Sequence, residues 1–232
     1  MAEVESDKLR FRPRARIIRT IGDQLISGPE AAIIELVKNA YDADASIVTI
    51  KFFPPLEVGK GRIVVSDDGH GMTLQDIQEK WMEPATAAKV GTRVSPAKQR
   101  TMMGSKGIGR FAAAKLGSKM ALNSISNRSM TRAEVLIPEL DWSIFNDETY
   151  LADVAIDYLT QSSELPTGTT IEITELAEEW PAAKVSSLHV ELRRLVSPFE
   201  QGTGPNGFKI FLDLSECTLE NAGFRRYGAI RA

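Results

Sequence analysis

Two early stretches carry apolar residues at helical spacing. Ile17, Ile18, Ile21 and Leu25 predict a helix over 17–27. Gly28-Pro29 punctuates the chain, and Pro29 suits the first turn of a second helix running to about Asp42. The period then changes. The β-branched runs 46–53 (SIVTIKFF) and 61–66 (GRIVVS) predict two strands joined by a short turn over 54–60. A helix follows near 74–82. The stretch 84–103 has no clean period and ends at a glycine-rich loop; irregular chain of that length inside a domain usually serves as a lid or binding loop. Beyond it, 107–116 reads as helix, 119–127 and 131–137 as paired strands joined at 127–129, and 169–174 as a strand. Leu188, Leu192 and Leu195 form one stripe of a helix over 185–196. A last strand begins near Phe208, after the linker-like run QGTGPNG at 201–207. No internal repeat is visible.

Strands joined by short turns argue for antiparallel pairs, and the helices group around one sheet rather than alternating strictly with strands. The expected class is α+β, a two-layer α/β sandwich.

Composition narrows the function. The chain of 232 residues has 43% hydrophobic and 25% charged side chains, ordinary globular proportions. Aromatics at 7% predict a mainly aliphatic core. A net charge of −3 gives no bulk attraction to nucleic acid or acidic lipid. One cysteine, Cys217, excludes an internal disulfide framework and a multi-cysteine zinc site. No apolar run approaches the roughly 20 residues of a membrane helix, and the N-terminus has no secretory core. A cytoplasmic location without membrane association is expected. Arg10, Arg12, Arg14, Arg16 and Arg19 form a basic segment, read as the solvated start of a helix or as a phosphate- or partner-binding arm.

Three stretches carry chemistry. On a helix, Glu35, Asn39 and Asp42 fall within about a 60° arc, opposite Ile33, Val37 and Ala40. A carboxylate beside an amide oxygen suits Mg²⁺, whose shell water and phosphate oxygens usually complete; a second carboxylate can polarise a water. The second stretch is Asp67-Asp68-Gly69-His70-Gly71-Met72, a strand end followed by alternating glycines that permit a sharp turn and close ligand approach. A buried acceptor there can take a hydrogen bond from an exocyclic amine. The third is Gly104-Ser105-Lys106-Gly107-Ile108-Gly109 before an alanine-rich helix, where free N–H groups make an anion site. It matches neither a dinucleotide-binding fingerprint nor a Walker A loop.

Taken in order, these stretches resemble the GHKL ATPase superfamily, which includes gyrase-type topoisomerases, ninety-kilodalton heat-shock chaperones, histidine kinases, mismatch-repair ATPases and MORC proteins. The residues that carry the resemblance are ELVKNAYDADA (35–45), DDGHGM (67–72), GSKGIGR (104–110) and GTTIEI (168–173). It implies a Bergerat fold, a mixed, mostly antiparallel sheet with helices on one face, and ATP and Mg²⁺ as ligands.

The resemblance also implies roles. Glu35 would be the general base that activates water, and Asn39 would bind Mg²⁺. Asp67, rather than Asp68, would accept from the adenine amine. Gly71 and Met72 would line the adenine pocket, with Asp42 and Ala43 bordering the nucleotide. Gly104, Gly107, Ile108 and Gly109 would form the phosphate-cradling turn, with Lys106 meeting phosphate. Thr169 would act near the adenine through water, and Lys89 would meet phosphate or pin the lid. His70 receives no role.

Within the superfamily, the acidic base and the Asn39-Ala40-Tyr41-Asp42-Ala43 box resemble the hydrolytic branch of heat-shock chaperones, mismatch-repair and MORC proteins rather than kinases. The implied organisation is a flexible arm over 1–13, an ATPase domain over 14–200, and a linker with the start of a transducer-like region over 201–232. The implied function is a Mg-dependent ATP-binding and ATP-hydrolysing switch in which ATP binding closes the lid and favours a homodimer, with a C-terminal domain or client protein as partner and nucleic acid reached only through other regions. The alternatives are a non-catalytic ATP sensor and a histidine-kinase-like phosphotransferase.

Overall fold

The computed structural model describes residues 10–83, 94–104, 111–129, 131–195 and 207–217. Seven strands form one sheet in the order β5-β4-β3-β6-β2-β1-β7. They are β1 (Ile47–Phe53), β2 (Arg62–Asp67), β3 (Gly117–Ser126), β4 (Ala133–Asp141), β5 (Leu159–Ser162), β6 (Gly168–Leu176) and β7 (Lys209–Asp213). Every neighbouring pair is antiparallel except β1 with β7, which makes the sheet mixed.

Helices α1 (Ile17–Leu25), α2 (Pro29–Asp42), α4 (Ala112–Leu116) and α5 (Ala182–Leu195) supply the second layer. Strand alternation explains why. In β1, Val48, Ile50 and Phe52 are buried while Ile47, Thr49 and Lys51 are not, so one sheet face is apolar. Ile63 and Val65 of β2, Met120 and Leu122 of β3, Ile137 of β4 and Ile173 of β6 continue that face. Against it pack Ile33, Leu36, Val37 and Ala40 of α2, and Ala112, Ala113 and Leu116 of α4. Val185, Leu188 and Leu192 give α5 its buried stripe, as the leucine spacing predicts. The opposite sheet face carries cross-strand ion pairs, including Arg62–Glu172 at 3.2 Å and Lys51–Asp213 at 3.6 Å, which solvate it rather than stabilise it strongly. The core is mainly aliphatic, with separate aromatic pairs such as Phe52–Trp180, ring centroids 5.2 Å apart.

Several elements differ from the sequence pattern. The helix expected over 74–82 is α3 (Leu74–Asp76) followed by a π turn over Ile77–Trp81, with the Met82 amide donating to Ile77 O. Of the helix expected over 107–116, α4 covers Ala112–Leu116, and residues 107–110 lie outside the described ones. β4 runs on to Asp141 through an irregularity opposite Met120–Leu122. β5 was not legible because all four of its residues are exposed, leaving no alternation to read.

The Arg-rich segment is engaged within its own chain. Arg14 bridges Tyr150, Leu151 N–H donates to Pro13 O, and the Arg12 and Arg14 guanidinium groups lie 4.0 and 3.9 Å from the Tyr150 ring centroid. Among the described residues no helix is long and apolar enough to cross a membrane.

Candidate functional site

The site forms where α2 ends beside the end of β2. His70 N–H donates to Ala43 O at 3.0 Å, so the turn after β2 is bonded directly to the turn after α2. A Cβ on Gly69 would lie 2.7 Å from Ala43 O, which is why this contact needs a glycine. Gly71 has φ +63°, and a Cβ there would sit 2.0 Å from Ile125 O.

The two adjacent aspartates do different work. Asp68 Oδ1 accepts from the Ser46 and Ile47 amides, each at 2.7 Å, and so holds the entry to β1. Asp67 pairs with Thr169 across β2 and β6 and accepts from the Gly69 amide at 2.8 Å and from the Thr169 amide. Burial pushes the Asp67 carboxyl up to about 6, aided by the Asp68 charge and only partly opposed by those two amides. Asp67 is therefore an acceptor held at the end of a strand in a poorly solvated place.

Around it lies a hydroxyl network that the sequence reading missed. Ser124 of β3 is fully buried; its Oγ accepts from the Met72 amide at 2.8 Å and lies 2.9 Å from Thr169 Oγ1. The available signal was a serine at an inward position of a strand, between Leu122 and Ser126. Arg128 was missed too. Its Nη2 donates to Gly71 O at 3.0 Å and pairs with Asp76, which also closes a capping box with Thr73 and meets Lys80 at 2.6 Å. These bonds outweigh the burial that would raise the Asp76 carboxyl and hold it at about 2. His70, whose Nδ1 is 2.7 Å from Gly71 O, is depressed mainly by burial and also by the Arg128 charge.

Glu35 and Asn39 lie one turn apart on the less buried side of α2, and Glu35 Oε1 accepts from Lys38 Nζ at 2.7 Å. Asp42, at the helix end, is 5% exposed and accepts from the Met103 amide at 2.7 Å and the Gly104 amide at 3.1 Å. It thus holds the start of the glycine-rich stretch. Lys89, Lys106, Gly107, Ile108 and Gly109 lie outside the described residues. No group of three or more His, Cys, Asp or Glu that could hold a metal ion gathers among the described residues.

A separate apolar cavity of about 330 Å³ is lined by residues including Ile18, Ile77, Trp81, Phe111, Ile137 and Trp142. Among the described residues its lining holds no Asp, Glu, His, Lys or Arg.

Residues 26–169 match the model of the family described as histidine kinase-, DNA gyrase B-, and HSP90-like ATPase. The chain belongs to this family. It is 27% identical over 182 residues to the DNA mismatch repair protein MutL of Halobacterium salinarum, covering 77% of this chain and 24% of that protein. It is 30% identical over 159 residues to MutL of Clostridium botulinum, covering 68% of this chain and 21% of that protein. The chain therefore spans less than a quarter of the length of these relatives. A solved structure described as the N-terminal domain of a DNA repair protein aligns with a TM-score of 0.51 at 18% identity, covering 84% of this chain and 51% of that one. That likeness supports the α+β Bergerat fold. ATP binding and hydrolysis are the activities of this family, and the mismatch-repair branch is the one that the relatives represent.

Proposed function

We propose that this chain is an ATP-hydrolysing switch domain in which Asp67 reads adenine and Glu35 activates the attacking water. The observation that supports the reading is the junction of the two turns at Ala43–His70, which brings the end of α2, the helix that bears Glu35 and Asn39, beside the Asp67 end of β2.

Adenine presents an exocyclic amine, and Asp67 presents a desolvated acceptor whose other bonds are two backbone amides. Ser124 and Thr169 hold hydroxyls beside it, suited to bridging through water, and Gly71 lets the turn after β2 pack closely on β3. Asn39 would hold Mg²⁺, which when bound neutralises phosphate charge. Glu35 would take a proton from water at its carboxylate; the Lys38 pair uses Oε1 and orients the group. The glycine-rich stretch following Gly104, with Lys106, would meet the phosphates through backbone N–H groups, and Lys89 would act on phosphate or the lid. Asp42 and Ala43 would support the nucleotide from behind, Asp42 by anchoring Met103 and Gly104.

Lid closure and a homodimer induced by ATP are the expected output, with a C-terminal domain or a client protein as partner. The MutL relatives make DNA repair the context to test first. Within this reading, an acidic residue at Glu35 favours water over a protein side chain as phosphate acceptor.

Phosphate release, measured beside binding of a non-hydrolysable ATP analogue, tests the division of labour. Glu35→Ala is expected to abolish release, a loss of at least about 100-fold, while binding the analogue normally. Unchanged release in that variant would exclude Glu35 as the base.

A further inference from the structure

Asp44 has a backbone conformation that side chains rarely adopt. Its φ is +60°, in the left-handed region, and it is 8% exposed. Its carboxylate explains why the chain tolerates this. Oδ2 accepts from the Ala97 amide at 2.7 Å and Oδ1 from the Lys98 amide at 3.0 Å, and the Ser95 hydroxyl also donates to it. Burial alone would raise the Asp44 carboxyl; these three donors, with some help from the His70 charge, hold it below the usual range.

The loop it grips is closed on itself. Ser95 N–H donates to Arg100 O at 2.8 Å, Arg100 N–H to Ser95 Oγ at 2.9 Å, and Val94 bridges Thr101. Further bonds tie the same loop to the same helix end. Lys98 Nζ meets Ser46 Oγ at 2.6 Å. Arg100, 5% exposed, donates from Nη1 to Ala45 O at 2.6 Å and from Nη2 to Gly207 O at 3.0 Å. Its guanidinium lies 4.7 Å from the Tyr41 ring centroid, and Tyr41 meets Phe208 edge-on at 5.2 Å. Three residues beyond Arg100, Asp42 takes the Met103 and Gly104 amides.

We propose that Asp44 is a positioning residue that clamps residues 95–100 to the end of α2 and thereby sets where the glycine-rich stretch begins relative to Glu35 and Asn39. Its functional consequence rests on the ATP reading above; the clamp itself does not. The adenine contacts come from β2, β3 and β6 and use no atom of this loop. The stretch that follows the loop is the one expected to meet phosphates. Losing the clamp is therefore a defect in triphosphate binding and not in adenine binding.

Asp44→Gly tests this without threatening the fold, because glycine occupies φ +60° at no steric cost. Amide hydrogen exchange at Ala97 and Lys98 is measured in the wild type, Asp44→Gly and Asp44→Asn. Adenosine and a non-hydrolysable ATP analogue with Mg²⁺ are titrated in parallel. The expected result is exchange at least about tenfold faster at both amides in Asp44→Gly, unchanged adenosine affinity, and at least about fivefold weaker binding of the analogue. Asp44→Asn, which keeps an acceptor oxygen and tolerates this backbone, is expected to fall between. Unchanged exchange in Asp44→Gly overturns the clamp. Faster exchange with unchanged analogue affinity overturns the positioning role. Failure of the wild type to bind adenosine overturns the nucleotide reading and the positioning role together, and the exchange data still decide the clamp.

Discussion

Asp67 and Thr169 stand opposite each other on β2 and β6, and the Thr169 amide donates to the Asp67 carboxylate. That pairing joins two motifs about a hundred residues apart in sequence into one acceptor site. It also explains Gly168, whose added Cβ would lie 2.1 Å from Asp67 O.

Nucleotide affinity should depend on pH through Asp67. Its carboxyl lies at about 6, raised chiefly by burial. An amine donor favours the ionised form, so binding lowers this value and releases a proton where the free site is protonated. Affinity for adenosine is expected to be flat above about pH 6 and to fall below it, by up to about tenfold per pH unit. Calorimetry of adenosine binding in buffers of different ionisation enthalpy detects the released proton. A flat profile from neutral pH down to about 5 contradicts the assignment.

The same burial has a stability consequence of opposite sign to that of an ordinary paired carboxylate. A folded-state value above the unfolded one means that ionisation of Asp67 opposes folding. The stability contribution is greatest below about pH 4, where the group is protonated in both states, and is lost as pH rises towards about 6. Asp67→Asn is therefore expected to unfold in urea no more readily than wild type near neutral pH.

Asp76 runs the other way. Its carboxyl is held at about 2 by Lys80, Thr73 and Arg128 against the effect of burial. Its contribution is present above about pH 4 and lost as pH falls towards about 2. Lys80 is half exposed, which tempers the pair, so Asp76→Asn is expected to cost about 1–2 kcal/mol near neutral pH. The deficit should vanish near pH 2. Urea unfolding at both conditions measures it, and an equal deficit at both would contradict the ionic origin.

Gly71→Ala combines a left-handed backbone with a Cβ placed 2.0 Å from Ile125 O. It should cost more than about 2 kcal/mol and displace the Met72 amide from Ser124 Oγ. Thermal unfolding and amide exchange at Met72 read the two effects. Wild-type stability would contradict the tight approach of the turn to β3.

Much of this architecture was legible because burial leaves a period. The buried stripe of α2 appears in Ile33, Leu36, Val37 and Ala40, and the β1–β2 hairpin in its β-branched runs. Glu35, Asn39 and Asp67 could be singled out from the sequence because each sits in a short local motif. β5 was not, since an edge strand with every residue exposed has no apolar face to mark it. Nor was the insertion of β6 between β2 and β3, which is decided by long-range pairing. Ser124 and Arg128 were missed for the same reason: their partners, Met72, Thr169 and Gly71, come from other parts of the chain. The second half of the irregular stretch read as a lid proved to be bonded to the end of α2, through partners invisible to periodicity.

The central claim is that Asp67 reads adenine while Glu35 is reserved for chemistry. Calorimetric binding of a non-hydrolysable ATP analogue with Mg²⁺ to wild type, Asp67→Asn and Glu35→Ala tests it most directly. The wild type and Glu35→Ala are expected to bind alike. Asp67→Asn is expected to lose at least about tenfold in affinity, the worth of one hydrogen bond to a charged acceptor. Equal binding by Asp67→Asn and wild type would contradict the account.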